Sequence, residues 1–379
     1  MLAFDVIIIG GGIAGSVCAK FLAQSNVRTL FVEKCKTPRP KACSGIQFDY
    51  FARIVGEKFP RDKLCHHQLR RLEVHRPDGS SVRVPYFMYS FTRDVFDDYL
   101  NQVAQDKGAI FRDECSYAGH EEVDGGVNVD LNVNGEVEKL SCSYLIDASG
   151  LRPVIRRKLR PDDFQATSSG GTINYYVEGD SDLDPQTLYQ FWNLEWNNQM
   201  FAWVYNKTVD GRDLWVVGSG YDHDLKMHCE SFLAFIRAKY NLNGNVVKTE
   251  GYSASIDFDS PDRVWLGQGR VMMVGDAAGL VDVTRGVGMD AAALSGRLAA
   301  KAIISARTNH KNAMDEYVRY TRKMVDQTRR NQSQGISTLS TNEALAAHLG
   351  ATMRTAGLRM AVNFVLNRFR QPENVTLLP

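Results

Sequence analysis

The 379-residue sequence lacks any run that approaches eighteen consecutive apolar residues, so no membrane-crossing helix is expected. The apolar stretch Phe4–Ile9 is short, runs straight into glycines and has no basic leader, so no signal peptide is expected either. Basic and acidic residues nearly cancel, 45 against 44, which removes any global pull toward nucleic acid. The seven cysteines, Cys18, Cys35, Cys43, Cys65, Cys115, Cys142 and Cys229, form no CxxC pair. Neither a zinc ribbon nor a disulfide framework follows from them, and a reduced, cytoplasmic protein is the expectation. His223, His228 and Cys229, with Asp222 and Asp224, match no ligand spacing, so no metal is expected. No Ser-His-Asp set or carboxylate pair stands at a catalytic spacing. Repeats and low-complexity tracts are also missing.

What is present is ordinary globular material, 44% hydrophobic and 23% charged, in an informative order. Phe4–Ile9, the helix that follows with Ile13, Val17, Phe21 and Leu22 on one face, and Arg28–Val32 read as a βαβ unit. Leu72–Val84 reads as a hairpin turning at Pro77-Asp78-Gly79, and Arg93–Lys107 as a helix. Val127–Val133 and Glu136–Leu140 flank Asn134-Gly135, a second hairpin, and Tyr144–Ala148 is a further strand. Residues 170–260 alternate and are rich in aromatics: Gly171–Val177, Leu188–Trp192, Phe201–Tyr205 and Leu214–Gly218 suggest one antiparallel sheet over something apolar. From Arg270 the α/β pattern returns, and the chain ends in helices. The expected fold class is α/β, a discontinuous Rossmann-type domain (1–65, 93–165 and 262–310) with an inserted antiparallel substrate sheet (66–92 and 166–261) and a helical C-terminal segment (311–379).

Gly10-Gly11-Gly12-Ile13-Ala14-Gly15 fits GxGxxG between a strand and a helix. Gly10 permits the tight turn, Gly12 lets backbone approach a pyrophosphate, and Gly15 lets helix and strand pack closely. Glu33 stands at the end of the second strand, about 20 residues on, where a carboxylate accepts ribose hydroxyls. Val274-Gly275-Asp276-Ala277-Ala278-Gly279 separates FAD from NAD. A ribityl chain needs a carboxylate for its hydroxyls, and NAD-binding folds need no late strand-Gly-Asp element. Arg285-Gly286-Val287-Gly288-Met289 opens another helix whose N–H groups and dipole suit the negative charge of a reduced flavin ring.

Together with the Asp147-Ala148-Ser149-Gly150 strand end, these motifs resemble the para-hydroxybenzoate-hydroxylase superfamily of flavoproteins. Within it the chain resembles the geranylgeranyl reductase family over residues 1 to about 305. Lys41-Ala42-Cys43-Ser44-Gly45 is similar to that family's Lys-x-Cys-Gly-Gly, Phe201–Lys207 to its Tyr-x-Trp-x-Phe-Pro-Lys, and Ala291–Ala300 to the helix after its flavin-ring glycines. The departures are Val283-Thr284-Arg285-Gly286-Val287-Gly288 for Pro-x-Thr-Gly-Glu-Gly, Asn206 for the proline, and Ser149-Gly150 with Pro153 and Arg156 for the hydroxylases' Asp-Gly with Ser and Arg. They surround the substrate and reductant paths rather than the cofactor grip.

The resemblance implies FAD as cofactor, with NADPH or NADH as an external reductant and the electron donor itself undefined. It implies contacts from Gly10, Gly12, Ile13, Ala14, Gly15, Glu33, Lys34, Lys41, Ala42, Cys43, Arg93, Ser149, Gly150, Gly275, Asp276, Gly286, Gly288 and Met289. Trp203, Phe201 and Trp192 are expected against an apolar, lipid-like substrate whose carbon–carbon double bond is reduced, with Cys43 or Tyr205 donating the proton. The alternative is a flavin monooxygenase or halogenase on an aromatic substrate; the halogenases' Trp-x-Trp-x-Ile-Pro lacks its first Trp and its Pro here. Cys43 also fits a small buried filler, and Trp192, Trp196 and Trp215 fit plain core. Residues 301–379 hold 12 basic and 5 acidic residues. There Leu358, Ala361, Val362, Val365 and Phe369 form a stripe beside Arg359, Arg368 and Arg370. It suits either a peripheral contact with the inner face of the membrane or packing onto the body.

Overall fold

The computed structural model describes residues 3–164, 170–198, 200–220, 224–254, 263–282, 286–332 and 338–378. Two sheets of eight strands carry the described chain. In the first, Phe4–Ile9 lies between Thr29–Val32 and Glu136–Asp147, parallel to both, and Ile110–Arg112 and Val271–Met273 extend the parallel set on either side. Val6, Ile7 and Ile8 are fully buried, as the continuous apolar run requires of a strand covered on both faces.

Helix Ile13–Gln24 packs on helix Met289–Asn309, and the two backbones nearly touch. A methyl group at Gly296 would lie 2.2 Å from the Ala14 carbonyl oxygen. The small residues of Ala291–Ala300 therefore serve the approach of the first helix.

Glu136–Asp147 is one strand, not the two expected. Its first half pairs antiparallel with Gly126–Val133 and its second half runs parallel to Phe4–Ile9. The polar Ser141-Cys142-Ser143 interrupts the apolar run without interrupting the backbone ladder.

The second sheet, in the order 245–254, 170–178, 212–220, 202–209, 187–191, 67–75, 81–90, 46–48, is antiparallel except where Thr187–Phe191 runs beside His67–His75. Ile46–Phe48, expected with the nucleotide unit, is the edge strand of this sheet. Its two faces differ in kind. Val177, Ala202, Val204, Trp215 and Val217 pack on helix Leu225–Tyr240 through Phe232 and Ile236, and the residues alternating with them face the first sheet. That helix was not legible from the alternation, because its apolar positions are spaced among Lys226, His228, Glu230 and Arg237.

Helices Ala313–Gln332 and Asn342–Asn367 close the chain. No helix among the described residues is long and apolar enough to cross a membrane.

Candidate flavin and substrate site

The glycine turn forms because nothing else fits it. Gly10 has φ +118°, and a methyl group there would lie 2.4 Å from the Ala148 carbonyl oxygen. At Gly15 a methyl would lie 2.0 Å from the Gly10 oxygen. Gly12, by contrast, faces open space, its nearest neighbour being the Arg39 guanidinium at 3.5 Å. That is the arrangement a pyrophosphate needs: a closed turn beneath and bare backbone above.

Glu33 is buried at the end of the second strand. Its carboxylate accepts N–H from Gly11 and Cys35, both at 3.2 Å, and pairs with Arg39 at 3.0 Å. Arg93 begins helix Arg93–Asp106 and turns its guanidinium onto Asp97 through two bonds of 2.8 Å. Burial opposes the Arg93 charge, but Asp97 and Cys43 hold its pKa above the usual arginine value. Lys41, distant in sequence, has its pKa lowered by burial and by Arg93.

A cavity of about 460 Å³ opens along these groups and continues over the second sheet. Gly12, Ile13, Ala14, Glu33, Lys34, Lys41, Ala42, Cys43, Arg93, Ser149, Gly150, Asp276, Gly286, Gly288 and Met289 all line it, as do Phe201, Trp203 and Tyr205. Gly10, Gly15 and Gly275 lie outside its lining. Trp192, expected against substrate, does not reach the cavity; it is buried behind Phe201, with ring centroids 5.2 Å apart. Trp196 stacks near Phe235, and Trp215 faces the same helix, so Trp203 alone of the four reaches the cavity.

The two glycine motifs of the second half meet here. A methyl at Gly288 would lie 3.4 Å from Asp276 Oδ1, and one at Gly286 would lie 2.8 Å from Phe201 Cζ. The glycines expected at the flavin ring thus abut both the expected ribityl carboxylate and Phe201, the residue before strand Ala202–Val209. Residues 283–285 of that loop lie outside the described residues. Cys43 Sγ stands 3.8 Å from Met289 Sδ, which places the Lys41–Gly45 loop against the start of helix Met289–Asn309.

The charged lining residues Glu33, Lys34, Arg39, Lys41, Arg93, Arg152 and Asp276 all lie outside the second sheet. From the sheet come Leu72, Met88, Thr172, Asn174, Leu188, Gln190, Trp203 and Tyr205, none of them ionised at neutral pH. Tyr205 is fully buried, burial pushes its pKa well up, and its hydroxyl has no hydrogen-bond partner among the described residues. The lining residues that sequence reasoning missed include Arg39, Asn174 and Gln190, and Lys207 entered it only as the end of the Phe201–Lys207 likeness. Arg39 sits in a loop between prolines with no pattern to mark it. Asn174 and Gln190 could have been found from strand alternation with Thr172 and Leu188.

Asp147 organises the turn after its strand. It is fully buried, accepts N–H from Ser149 and Ile155 at 3.0 Å, and takes the Ser149 hydroxyl at 2.5 Å. Arg156 is tied to Asp163 and to the Arg263 carbonyl. Asp147 and Arg156 therefore build scaffold, and Ala148, Ser149 and Gly150, the last with φ +83°, meet the cavity. Among the described residues no His, Cys, Asp or Glu cluster could hold a metal.

This donor set fits FAD: bare glycine backbone beside basic residues, a buried carboxylate near the turn, and a second carboxylate beside glycines at a helix start. Residues 63–332 match the FAD binding domain family, and residues 8–61 match an NAD(P)-binding Rossmann-like domain. The chain belongs to the FAD binding domain family and is an FAD-dependent oxidoreductase.

Its relatives include digeranylgeranylglycerophospholipid reductase 2 of Methanothermobacter thermautotrophicus, 26% identical over 85% of this chain and 84% of that one. Geranylgeranyl diphosphate reductase of Synechocystis is 25% identical over 81% and 77%. The fold is shared with a geranylgeranyl bacteriochlorophyll reductase-like protein of Thermoplasma acidophilum (20% identity, TM-score 0.76, covering 91% and 90%). It is also shared with the flavin-dependent halogenase CmlS (17% identity, TM-score 0.68, covering 88% and 64%).

Proposed function

We propose that the protein reduces carbon–carbon double bonds in an isoprenoid chain laid against the second sheet in the cavity. The observation that carries this reading is the origin of the charge: the charged and glycine-rich lining suited to a dinucleotide comes from outside the second sheet, and the sheet adds no ionised group to the lining. The relatives named as geranylgeranyl reductases support it.

Glu33 and the Gly10–Gly15 turn would hold the adenosine and pyrophosphate, Asp276 the ribityl hydroxyls, and Gly286–Met289 the ring edge. Bound and reduced, FAD supplies a hydride to carbon. An isolated double bond also needs a proton, and two candidate donors of this chain line the cavity: Cys43 and Tyr205. Tyr205, held neutral by burial and without a partner for its hydroxyl among the described residues, is a donor in waiting. Trp203 and Phe201 line it too and exclude water. NADPH or NADH is the proposed reductant.

The chain would reach the cavity from a membrane surface. Leu358, Val362, Val365 and Phe369 are exposed beside Arg359 and Arg368, while Met353, Met360 and Phe364 on the opposite side of that helix pack on the body. Phe364 meets Tyr86 at 5.2 Å, Tyr86 meets Phe48 at 4.8 Å, and Phe48 lines the cavity, so aromatic rings join the helix to the site.

Anaerobic turnover of the reduced holoprotein with geranylgeraniol or a digeranylgeranylglyceryl lipid tests the function. Mass spectrometry should find two mass units added per double bond reduced in H2O and up to four in D2O, because both added hydrogens come from exchangeable positions. A reduced flavin that persists with these chains, but hydroxylates or halogenates an aromatic once oxygen is admitted, would favour the monooxygenase branch instead.

A further inference from the structure

Lys207 lies on the aromatic strand, two residues beyond Tyr205 and on the same face of the sheet. It is 3% exposed, yet no carboxylate lies within ion-pair distance among the described contacts. Its ammonium donates instead to two backbone oxygens, Ser44 at 3.0 Å and Phe91 at 2.8 Å. An ammonium buried on carbonyls alone is costly, and burial pushes Lys207 down to about 8. Such a residue earns its place through what it holds.

What it holds is the loop that carries Cys43. Ser44 follows Cys43 directly, and Gly45 is pressed under Phe91: with φ +70°, its missing side chain would lie 1.9 Å from the Phe91 oxygen. Lys207 thus bonds both walls of the crevice into which the loop is folded. On the far side of the loop, Cys43 Sγ meets Met289 Sδ at 3.8 Å and lies near the Arg93 guanidinium.

We infer that Lys207 is a positioning residue that staples the Lys41–Gly45 loop to the substrate sheet and so fixes Cys43 in the gap between that sheet and helix Met289–Asn309. Its bearing on catalysis rests on the reading of Cys43 given above; the staple itself does not.

Thiol labelling tests it in the full-length protein. Cys35 is the exposed cysteine, so Cys35→Ser serves as background and iodoacetamide modification is followed at Cys43 by peptide mass. Lys207→Met should raise the Cys43 labelling rate at least tenfold at pH 7, Lys207→Gln by less, and Gly45→Ala should reproduce the effect by a separate route. Lys20 provides the matched control. It is equally buried and also bonds two backbone oxygens, Val55 and Gly56 at 2.8 and 2.9 Å, in a different crevice, though it pairs as well with Glu57 at 2.6 Å. Lys20→Met should lower the melting temperature without changing Cys43 labelling.

A rate within twofold of the parent in Lys207→Met overturns the inference, as does an equal rise in Lys20→Met. If Lys207→Met does not fold, Lys207→Gln and Gly45→Ala decide it by the same criterion. Flavin content is read separately: a parent protein that binds no FAD sinks the cofactor reading and leaves the labelling comparison standing.

Discussion

Trp203 and Asn174 meet across a strand that lies between them. The indole Nε1 donates to Asn174 Oδ1 at 2.8 Å, and the residue between them in the sheet register is Gly218. A methyl group on Gly218 would lie 2.3 Å from the Asn174 oxygen and 2.4 Å from the indole nitrogen. Three strands thus form a slot in which the indole lies flat on the sheet and meets the cavity.

Gly218→Ala should expel the indole. Overpacking of this kind costs about 1–3 kcal/mol, to be read from urea unfolding. The affinity for an apolar ligand such as geranylgeraniol should fall with it, while FAD binding stays. Unchanged ligand affinity would remove Trp203 from the substrate site.

Glu33→Ala should weaken FAD binding by the ~1.5–3 kcal/mol typical of a hydrogen bond to a charged group. It also frees Arg39, whose nearest remaining acid is Asp97 at 3.6 Å. Asp276→Ala should lose flavin while circular dichroism and melting stay close to the parent. Equilibrium dialysis gives both constants, and stoichiometric FAD in Asp276→Ala would mean that the carboxylate does not hold the ribityl chain.

Lys207 makes stability depend on alkaline pH. Below pH 8 the residue is protonated folded and unfolded, and the cost of burying the charge is present in full. From about 8 to 10.5 the unfolded chain binds more proton than the folded one, so stability at this site rises with pH. The full change is on the order of 3 kcal/mol. The unfolding free energy of the parent relative to Lys207→Met should therefore rise between pH 7 and pH 10. Parallel curves would mean an unperturbed lysine.

The parts of this site that were legible in the sequence are those in which one short segment does one job. Gly10, Gly15 and Glu33 act within a single βαβ unit, so spacing alone marked them. Arg39, Asn174 and Lys207 act through partners 29 to 163 positions away, Arg39 on Asp97, Asn174 on Trp203 and Lys207 on Ser44. No local pattern encodes such pairings. Trp192 misled for a related reason. Strand alternation cannot tell the aromatic that faces the cavity from one that backs it, and Trp192 follows the last paired residue, Phe191, where the strand leaves the sheet.

The stripe on the C-terminal helix was open to two readings, and the structure separates them residue by residue. Leu358 is 68% exposed and Phe369 81%, so these side chains are not core. The face opposite is: Arg53 bonds the carbonyls of Asn367 and Arg370, and Phe364 packs on Tyr86. Truncating the chain after Gly357 would therefore remove scaffold along with the stripe. Substitution is the cleaner test. Leu358→Glu with Val362→Glu and Phe369→Ser should leave melting within ~0.5 kcal/mol of the parent, since exposed positions tolerate change. The parent should sediment with vesicles containing anionic lipid, more weakly as salt screens Arg359 and Arg368. The triple variant should remain in the supernatant, because three side chains worth about 1.5–3 kcal/mol each on full burial have lost their gain. Sedimentation of both proteins alike would assign membrane contact to another surface. If neither sediments at low salt, the exposed stripe has some partner other than lipid.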